Sequence, residues 1–184
     1  RRIRESRVYA GKAVVEAVMA AKTRPELLIQ ASAVGYYGTK AEGTFDESAP
    51  AGSDFLARIC QDWEAASGPV EALGVRRAVA RIGVVLSANG GALPRQALPF
   101  RFFAGGPLGS GRQGYPWIHQ DDVVAALAFL AENPHARGAY NLTSPRPLTN
   151  AEFGRALERA MRRPYWLPVP ALAFRLMFGE AATM

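Results

Sequence analysis

Apolar residues recur at helical spacing through Val8, Val14, Val15, Val18 and Met19, which predicts a helix already under way at the first residues and ending near Lys22. Thr23-Arg24-Pro25 punctuates it, and Leu27-Leu28-Ile29-Gln30-Ala31 follows as a short apolar strand with Ser32 at its carboxyl end. From Ser32 to Pro50, Gly35, Gly38, Gly43 and the acids Glu42, Asp46 and Glu47 break every period, so a loop is expected. Ser53 or Asp54 caps a second helix running to about Ser67, with Phe55, Leu56, Ile59, Cys60 and Trp63 on its buried stripe. Ala78 to Leu86 is nearly continuous apolar sequence, the pattern of a strand covered on both faces.

Asn89-Gly90-Gly91 is a turn, and a short helix is predicted near Arg95 to Phe102. The glycine-rich run Gly105 to Gly114 leads into a short strand at Trp117-Ile118-His119. Asp121 or Asp122 caps a helix to about Glu132, and Ala139 to Leu142 reads as another strand. Thr149-Asn150-Ala151-Glu152 is a capping box opening a helix to about Arg162, and Pro168-Val169-Pro170 introduces a last helix, Ala171 to Phe178. Alternation of helices with strongly apolar strands predicts an α/β fold, a doubly wound parallel sheet. In such sheets ligands sit outside the carboxyl ends of the strands. Three stretches qualify: Ser32 to Gly38, Gly83 to Gly91, and the run before His119.

With 184 residues, 49% of them hydrophobic, the chain can bury a real core, which excludes disorder and a mini-protein scaffold. No run of about 18 apolar residues is present, so neither a membrane span nor a membrane partner is expected. The net charge of +6 would suit an anionic partner, but the basic residues are mostly arginines spread along the chain without interleaved aromatics, so nucleic acid is not the expected partner. The single cysteine, Cys60, forms no internal disulfide, and no Cys/His cluster has metal-ligand spacing; a reducing cytoplasm and no metal follow. The chain opens on Arg1 inside a helical pattern with no cap before it, which points to a piece of a longer protein. The first residues do not have the pattern of a signal peptide, so none is expected within this sequence.

Candidate chemistry gathers at Ser32-Ala33-Val34-Gly35-Tyr36-Tyr37-Gly38. A strand-end serine can donate to a substrate oxygen, and a phenol with a tuned pKa can relay a proton. Equally, Ser32 can bond its own loop while the tyrosines pack. Tyr36 with Lys40 spells Tyr-x-x-x-Lys, but that pattern works only on a helix, and the flanking glycines argue against one. The run Gly105 to Gly114 lacks the lysine and following helix of a phosphate cradle. His119 before Asp121 and Asp122 could be an acid/base pair, although a buried strand-end histidine beside a helix-capping aspartate is the nearer reading. No Gly-x-Ser-x-Gly elbow supports a hydrolase.

The motifs occur in a recognisable order: Ser32-Ala-Val-Gly-Tyr-Tyr-Gly38, Asp54-Phe55-Leu56-Ala57 with Cys60 and Trp63-Glu64, and Arg81-Ile82-Gly83-Val84-Val85-Leu86. Gly90-Gly91-Ala92-Leu93, Gly105-Gly106-Pro107-Leu108-Gly109-Ser110-Gly111-Arg112-Gln113, Trp117-Ile118-His119, Asp121-Asp122, Asn141-Leu142-Thr143 and Arg163-Pro164 follow. Over essentially its whole length the chain resembles an atypical extended short-chain dehydrogenase/reductase of the epimerase-like kind, the NAD-dependent epimerase/dehydratases and nucleoside-diphosphate-sugar epimerases.

That resemblance implies a partial Rossmann-like sheet with a smaller substrate lobe, and absence of the upstream glycine fingerprint and of a C-terminal piece. Residues 1–90 would be the second half of the NAD(P)-binding domain and 91–184 mainly the substrate lobe, with 117–132 returning to the sheet. It implies NAD or NADP held by Ala31, Ser32, Ala33, Arg81, Gly83, Val84 and Val85, with Ser32 orienting the reacting oxygen and Tyr36 or Tyr37 transferring the proton. Arg112, Gln113, Tyr115 and His119 would meet the small-molecule substrate. Two departures stand out. Phe55-Leu56-Ala57-Arg58-Ile59 occupies the helix where better-known members carry Tyr-x-x-x-Lys, and Tyr115 stands where nucleotide-sugar enzymes place an arginine. A non-catalytic NAD(P)-binding sensor or scaffold is therefore the alternative. The family also pairs two helices across a two-fold axis, here Arg2 to Ala21 and Ser53 to Ser67, which makes a homodimer possible.

Overall fold

The computed structural model describes residues 2–39 and 43–168. They form two compact units, one of residues 2–39, 45–83 and 121–142, the other of 43–44, 84–120 and 143–168. The expected final helix, Ala171 to Phe178, lies outside the described residues.

In the first unit, helix α1 (Arg2–Ala20), strand β1 (Leu27–Ala33), helix α2 (Phe55–Ser67), strand β2 (Arg76–Ile82), helix α4 (Gln120–Glu132) and strand β7 (Gly138–Leu142) surround one parallel sheet of order β1-β2-β7. Successive strand residues point to opposite faces. Arg77 reaches the Ser67 hydroxyl at 3.0 Å on α2, whereas its neighbour Arg76 donates to the carbonyls of Leu130 (3.0 Å) and Ala131 (3.1 Å) at the end of α4. Helices therefore cover both faces, the doubly wound arrangement. Arg76 also supplies donors to last-turn carbonyls that have no partner within the helix.

β2 starts two residues earlier than its apolar run suggests, because Arg76 and Arg77 extend along the sheet while their heads find helix carbonyls and a hydroxyl. The run from Ala78 to Leu86 is not one strand. It breaks at Gly83, whose N–H donates to the Leu142 carbonyl at 3.1 Å, and resumes as β3 (Val84–Ser87) in the second unit. The α1 stripe is narrower than its periodicity implies: Val18 is buried against Val70 and Val75, but Val14 and Met19 are exposed. Phe55, expected in the core, is 60% exposed, and the buried positions of α2 are Ala57, Ile59, Cys60 and Ser67. α1 meets α2 at Gly11, where a built Cβ would stand 2.6 Å from the Ala66 Cβ.

The second unit holds β3, β4 (Gly90–Gly91), helix α3 (Ala92–Arg101), β5 (Gly114–Tyr115), β6 (Trp117–His119), β8 (Leu148–Thr149) and helix α5 (Asn150–Met161). β3 pairs parallel with β6 and antiparallel with β4. Leu86, Phe100, Tyr115, Phe153 and Leu157 make its core, with the Tyr115 ring stacked on Phe153 at 4.2 Å. The capping box of α5 is complete: Thr149 Oγ1 accepts from the Glu152 N–H, and the Glu152 carboxylate accepts from the Thr149 N–H. The glycine-rich run is packing rather than a phosphate cradle. Gly105 accepts from the N–H groups of Trp166 and Leu167, and a Cβ built on it would collide with the Phe100 ring at 2.5 Å.

Candidate functional site

The carboxyl end of β1 runs straight into a single 3-10 turn, Val34–Tyr37, closed by Gly38 at φ 84°. The expected loop thus contains one turn of helix, which the positive φ of Gly38 ends; Lys40 lies outside the described residues. Asp54 fastens this turn to α2. Its Oδ1 caps the helix by accepting from the Ala57 N–H at 2.9 Å, while Oδ2 accepts from the Thr39 N–H at 2.7 Å and the Thr39 hydroxyl at 3.1 Å. These bonds, led by the one from Ala57, hold the Asp54 carboxyl below the usual carboxylate range. Gly52 closes the loop from below: its N–H donates to the Tyr36 carbonyl, and a Cβ there would meet the Tyr37 carbonyl at 2.7 Å.

Beneath the turn lies a buried polar network. Ser32 Oγ donates to Glu64 Oε1 at 2.6 Å. Arg81 grips the same carboxylate with both arms of its fork, Nε to Oε1 at 3.0 Å and Nη2 to Oε2 at 2.9 Å. Its Nη1 donates to the Tyr37 hydroxyl at 2.9 Å. Because arginine can only donate, that hydroxyl accepts from it and sends its own proton to Asn141 Oδ1, 2.8 Å away. Asn141 is turned this way because its Nδ2 donates to the Phe45 carbonyl at 3.3 Å; its backbone N–H donates to Glu47 at 2.7 Å. The Phe45 ring stacks on Tyr37 at 5.5 Å. The face of the Arg81 guanidinium lies 3.4 Å from the Tyr36 ring centroid.

Side-chain exposure is 6% for Arg81 and 12% for Glu64, so both charges are removed from water and depend on each other. Burial acts to lower the Arg81 pKa, but the hydrogen bonds it donates to Glu64 and Tyr37 outweigh it and keep the group firmly protonated. Facing the turn from α2 are Leu56 and Cys60, whose Cβ and Sγ would lie 3.9 and 3.7 Å from a Cβ on Gly35. These, rather than Phe55 and Ile59, are the α2 side chains that meet the loop. Burial, reinforced by Glu64, pushes the Cys60 thiol above its ordinary pKa and leaves it a poor nucleophile.

Of the expected site residues, Ala31, Ser32, Ala33, Tyr36, Tyr37, Arg81 and Gly83 come together in the first unit. Val84, Val85, Arg112, Gln113, Tyr115 and His119 belong to the second. There Tyr115 is buried, its hydroxyl donating to Gln96 Oε1 at 2.6 Å, and burial pushes its pKa up to about 12. Gln113 braces its own loop through the Leu108 carbonyl at 2.9 Å. Arg112 is exposed, and so is His119, contrary to the buried histidine expected. A shallow recess of about 270 Å³ opens by Val85, Ser87, Asn89, Gly90, Gly91 and Gln120.

Sequence reasoning passed over Glu64 and Asn141 as site residues. Glu64 had a signal: it falls on the helical face of Ala57, Cys60 and Ser67, all buried, where a carboxylate needs a partner. Asn141 had none, since its partners are distant in sequence. Among the described residues no group of three or more His, Cys, Asp or Glu could hold a metal ion, and no helix is long and apolar enough to cross a membrane.

No family model matches the chain. It is 44% identical over 184 residues to the chloroplastic epimerase family protein SDR39U1 homolog of Arabidopsis thaliana, covering 99% of this chain and 53% of that protein. It is 41% identical to the epimerase family protein YfhF of Bacillus subtilis, covering 99% and 60%. The chain thus spans little more than half the length of these relatives. The crystal structure of human epimerase family protein SDR39U1 with NADPH superimposes with a TM-score of 0.89 at 33% identity, covering 98% of this chain and 61% of that one. A nucleoside-diphosphate sugar epimerase from Corynebacterium glutamicum gives 0.78 at 34% identity, covering 96% and 39%. In sequence along nearly its full length the chain is similar to epimerase family proteins, and its Rossmann-like fold is the one they share with nucleoside-diphosphate sugar epimerases.

Proposed function

We propose that the protein is an NAD(P)-dependent, epimerase-like or oxidoreductase-like enzyme of the cytoplasm acting on a small molecule, with the first unit holding the cofactor's reactive end and the second contributing the substrate lobe. The observation that carries this is the register of the parallel sheet, which ends β1, β2 and β7 together at Ala33, Ile82 and Leu142. Ligands of doubly wound sheets bind beyond that edge. The residues present fit a nicotinamide: Ala33 and Gly83 leave the edge unscreened, and no charged side chain projects from either. Ala33, Gly83 and the backbone of Ser32 would hold the cofactor, with Ala31 exposed on the strand's other face. When bound, the nicotinamide takes or gives a hydride at a carbon bearing a hydroxyl or carbonyl. NADPH is the first cofactor to try, because it is the one bound to the human relative.

Hydride transfer to a carbonyl leaves an oxygen that needs a proton. α2 offers none, since Leu56 is apolar and Cys60 is buried with a raised pKa. Ser32 gives its proton to Glu64, and Tyr37 gives its own to Asn141. Tyr36 is the half-buried phenol of the turn whose hydroxyl is outside this network, so it takes the proton-transferring role. Ser32 and Tyr37 hold the turn that carries it. In the second unit the exposed Arg112 and His119 would meet the substrate, while Gln113 and Tyr115 are held by the Leu108 carbonyl and Gln96. The test is a thermal shift of the intact protein with NADPH and NADH, followed by turnover on a panel of carbonyl compounds and nucleotide sugars. Lack of any stabilisation by either dinucleotide would refute the reading.

The lack of a Tyr-x-x-x-Lys pair in Phe55-Leu56-Ala57-Arg58-Ile59 on α2 favours one alternative, a sensor or scaffold that binds NAD(P) without chemistry. Dinucleotide binding without turnover on any substrate would select it. A homodimer through α1 and α2 belongs to the same proposal, since these helices expose Ile3, Tyr9 and Phe55.

A further inference from the structure

We infer that Arg81 is a positioning residue for Tyr36, set in place by Glu64, rather than a group that touches the cofactor. The inference rests on the reading above in giving Tyr36 the proton-transferring role. Arg81 is 5% exposed, and three of its N–H groups are already taken, two by Glu64 and one by Tyr37. Two N–H groups remain on a side chain already removed from solvent, and its flat face is covered by Tyr36, whose ring centroid lies 3.4 Å from the guanidinium carbon.

The three arginines of β2 show the difference. Arg76 and Arg77 reach out to helix carbonyls, work that needs donors but no fixed plane. Arg81 is held in a defined plane by a two-point grip on a carboxylate, and that carboxylate is itself fixed by the Ser32 hydroxyl from the neighbouring strand. A buried ion pair adds little net stability over well-packed apolar residues of the same volume, so its presence calls for a geometric reason. The reason here is a rigid cationic platform at the foot of a one-turn helix, on which an aromatic ring takes one orientation. Tyr37 is excluded from the same role because its hydroxyl closes the network on Asn141, leaving Tyr36 presented.

Hydroxyl-radical footprinting of the intact protein, read by peptide mass spectrometry at individual tyrosines, tests this. Two variants are compared with the native protein: Arg81→Lys, which keeps the charge and loses the plane, and Glu64→Gln with Arg81→Met, which removes both charges together. Tyr115, in the second unit and clear of the network, is the internal control. Labelling of Tyr36 should rise at least about threefold in both variants, the lower end of what a cation–π contact is worth, with Tyr115 unchanged. Unchanged Tyr36 labelling overturns the inference, and so does a parallel rise at Tyr36 and Tyr115, which would mean general loosening. If the double variant does not fold, Arg81→Lys alone decides. The proton-transferring role is judged separately, by the turnover of Tyr36→Phe.

Discussion

Gly11→Ala sets two opposing effects against each other at a place where the geometry decides between them. Gly11 is buried in the middle of α1, where alanine is ordinarily the better helix former by about 0.5–1 kcal/mol. The added Cβ, however, would stand 2.6 Å from the Ala66 Cβ and 3.3 Å from the Ala66 carbonyl carbon. Carbon atoms settle about 3.5–4.0 Å apart, so the helices must separate by about 1 Å at their crossing. One of the two obstructing atoms is backbone and cannot rotate away. Overpacking of this kind costs about 2 kcal/mol at the middle of its range, which leaves a net loss of about 1–1.5 kcal/mol after the gain in helix propensity. Chemical denaturation of the intact protein, followed by circular dichroism, measures it. Gly114→Ala is the control, because nothing lies within 4 Å of its Cβ position; it should be neutral or slightly stabilising. Adding Ala66→Gly to Gly11→Ala should recover part of the loss through a coupling of about 1 kcal/mol. Native or increased stability in Gly11→Ala would show that α1 can slide over α2, and the close-contact account of this crossing would be wrong.

Glu64→Ala should cost about 3–5 kcal/mol in the same denaturation assay, because it strands the buried Arg81 charge; a loss under about 1 kcal/mol would place water in the network. Tyr36→Phe should lower turnover by about a hundredfold or more on any substrate found, as loss of a proton donor does, while Tyr37→Phe should mainly destabilise, by about 1–3 kcal/mol, by leaving buried partners unsatisfied. The folded Asp54 carboxyl has a depressed pKa, so its contribution is fully present above the usual carboxylate range and is lost as pH falls through the folded value. The stability gap between the native protein and Asp54→Ala should therefore be open at neutral pH and close in acid, and a gap independent of pH would contradict the assignment. Sedimentation of the intact protein at micromolar concentration should show a dimer; a monomer throughout would remove the α1 and α2 interface.

Much of the first unit was legible because its signals are local. The cap at Asp54 and the apolar core of β1 depend on residues a few positions apart, and each formed, as did the equally local capping box at Thr149 in the second unit. Failures came where a distant partner overruled the local pattern. The apolar run begins at Ala78, yet β2 begins at Arg76, because a long side chain can lie in a sheet when its head reaches a helix. Phe55 satisfied the helical period but sits in the first turn of α2, beyond the part that packs on β1, and is left in water. Gly83 looked like one small residue in a long strand; its bond to Leu142 instead ends the first sheet there. The glycine run at Gly105 could not be distinguished from a ligand loop until Phe100 and the 164–167 segment were found filling the space beside it.

The site itself was half legible for the same reason. Ser32, Tyr36, Tyr37 and Arg81 could be singled out, but their roles depend on which hydroxyl has already spent its proton, and only Glu64 and Asn141 settle that. Once Leu56 and Cys60 occupy the helix face that meets the turn, the phenol proposed to move the proton is carried on four residues of 3-10 helix instead of on a long α-helix. A turn that short has no hydrogen-bond ladder to hold a side chain in place. Its precision must come from outside: from Asp54 at its end, Gly52 beneath it and the Arg81 platform against its ring. Turnover in this protein should accordingly respond to residues that never meet the substrate, Glu64 and Asn141 among them, more than it would with the donor built into a helix.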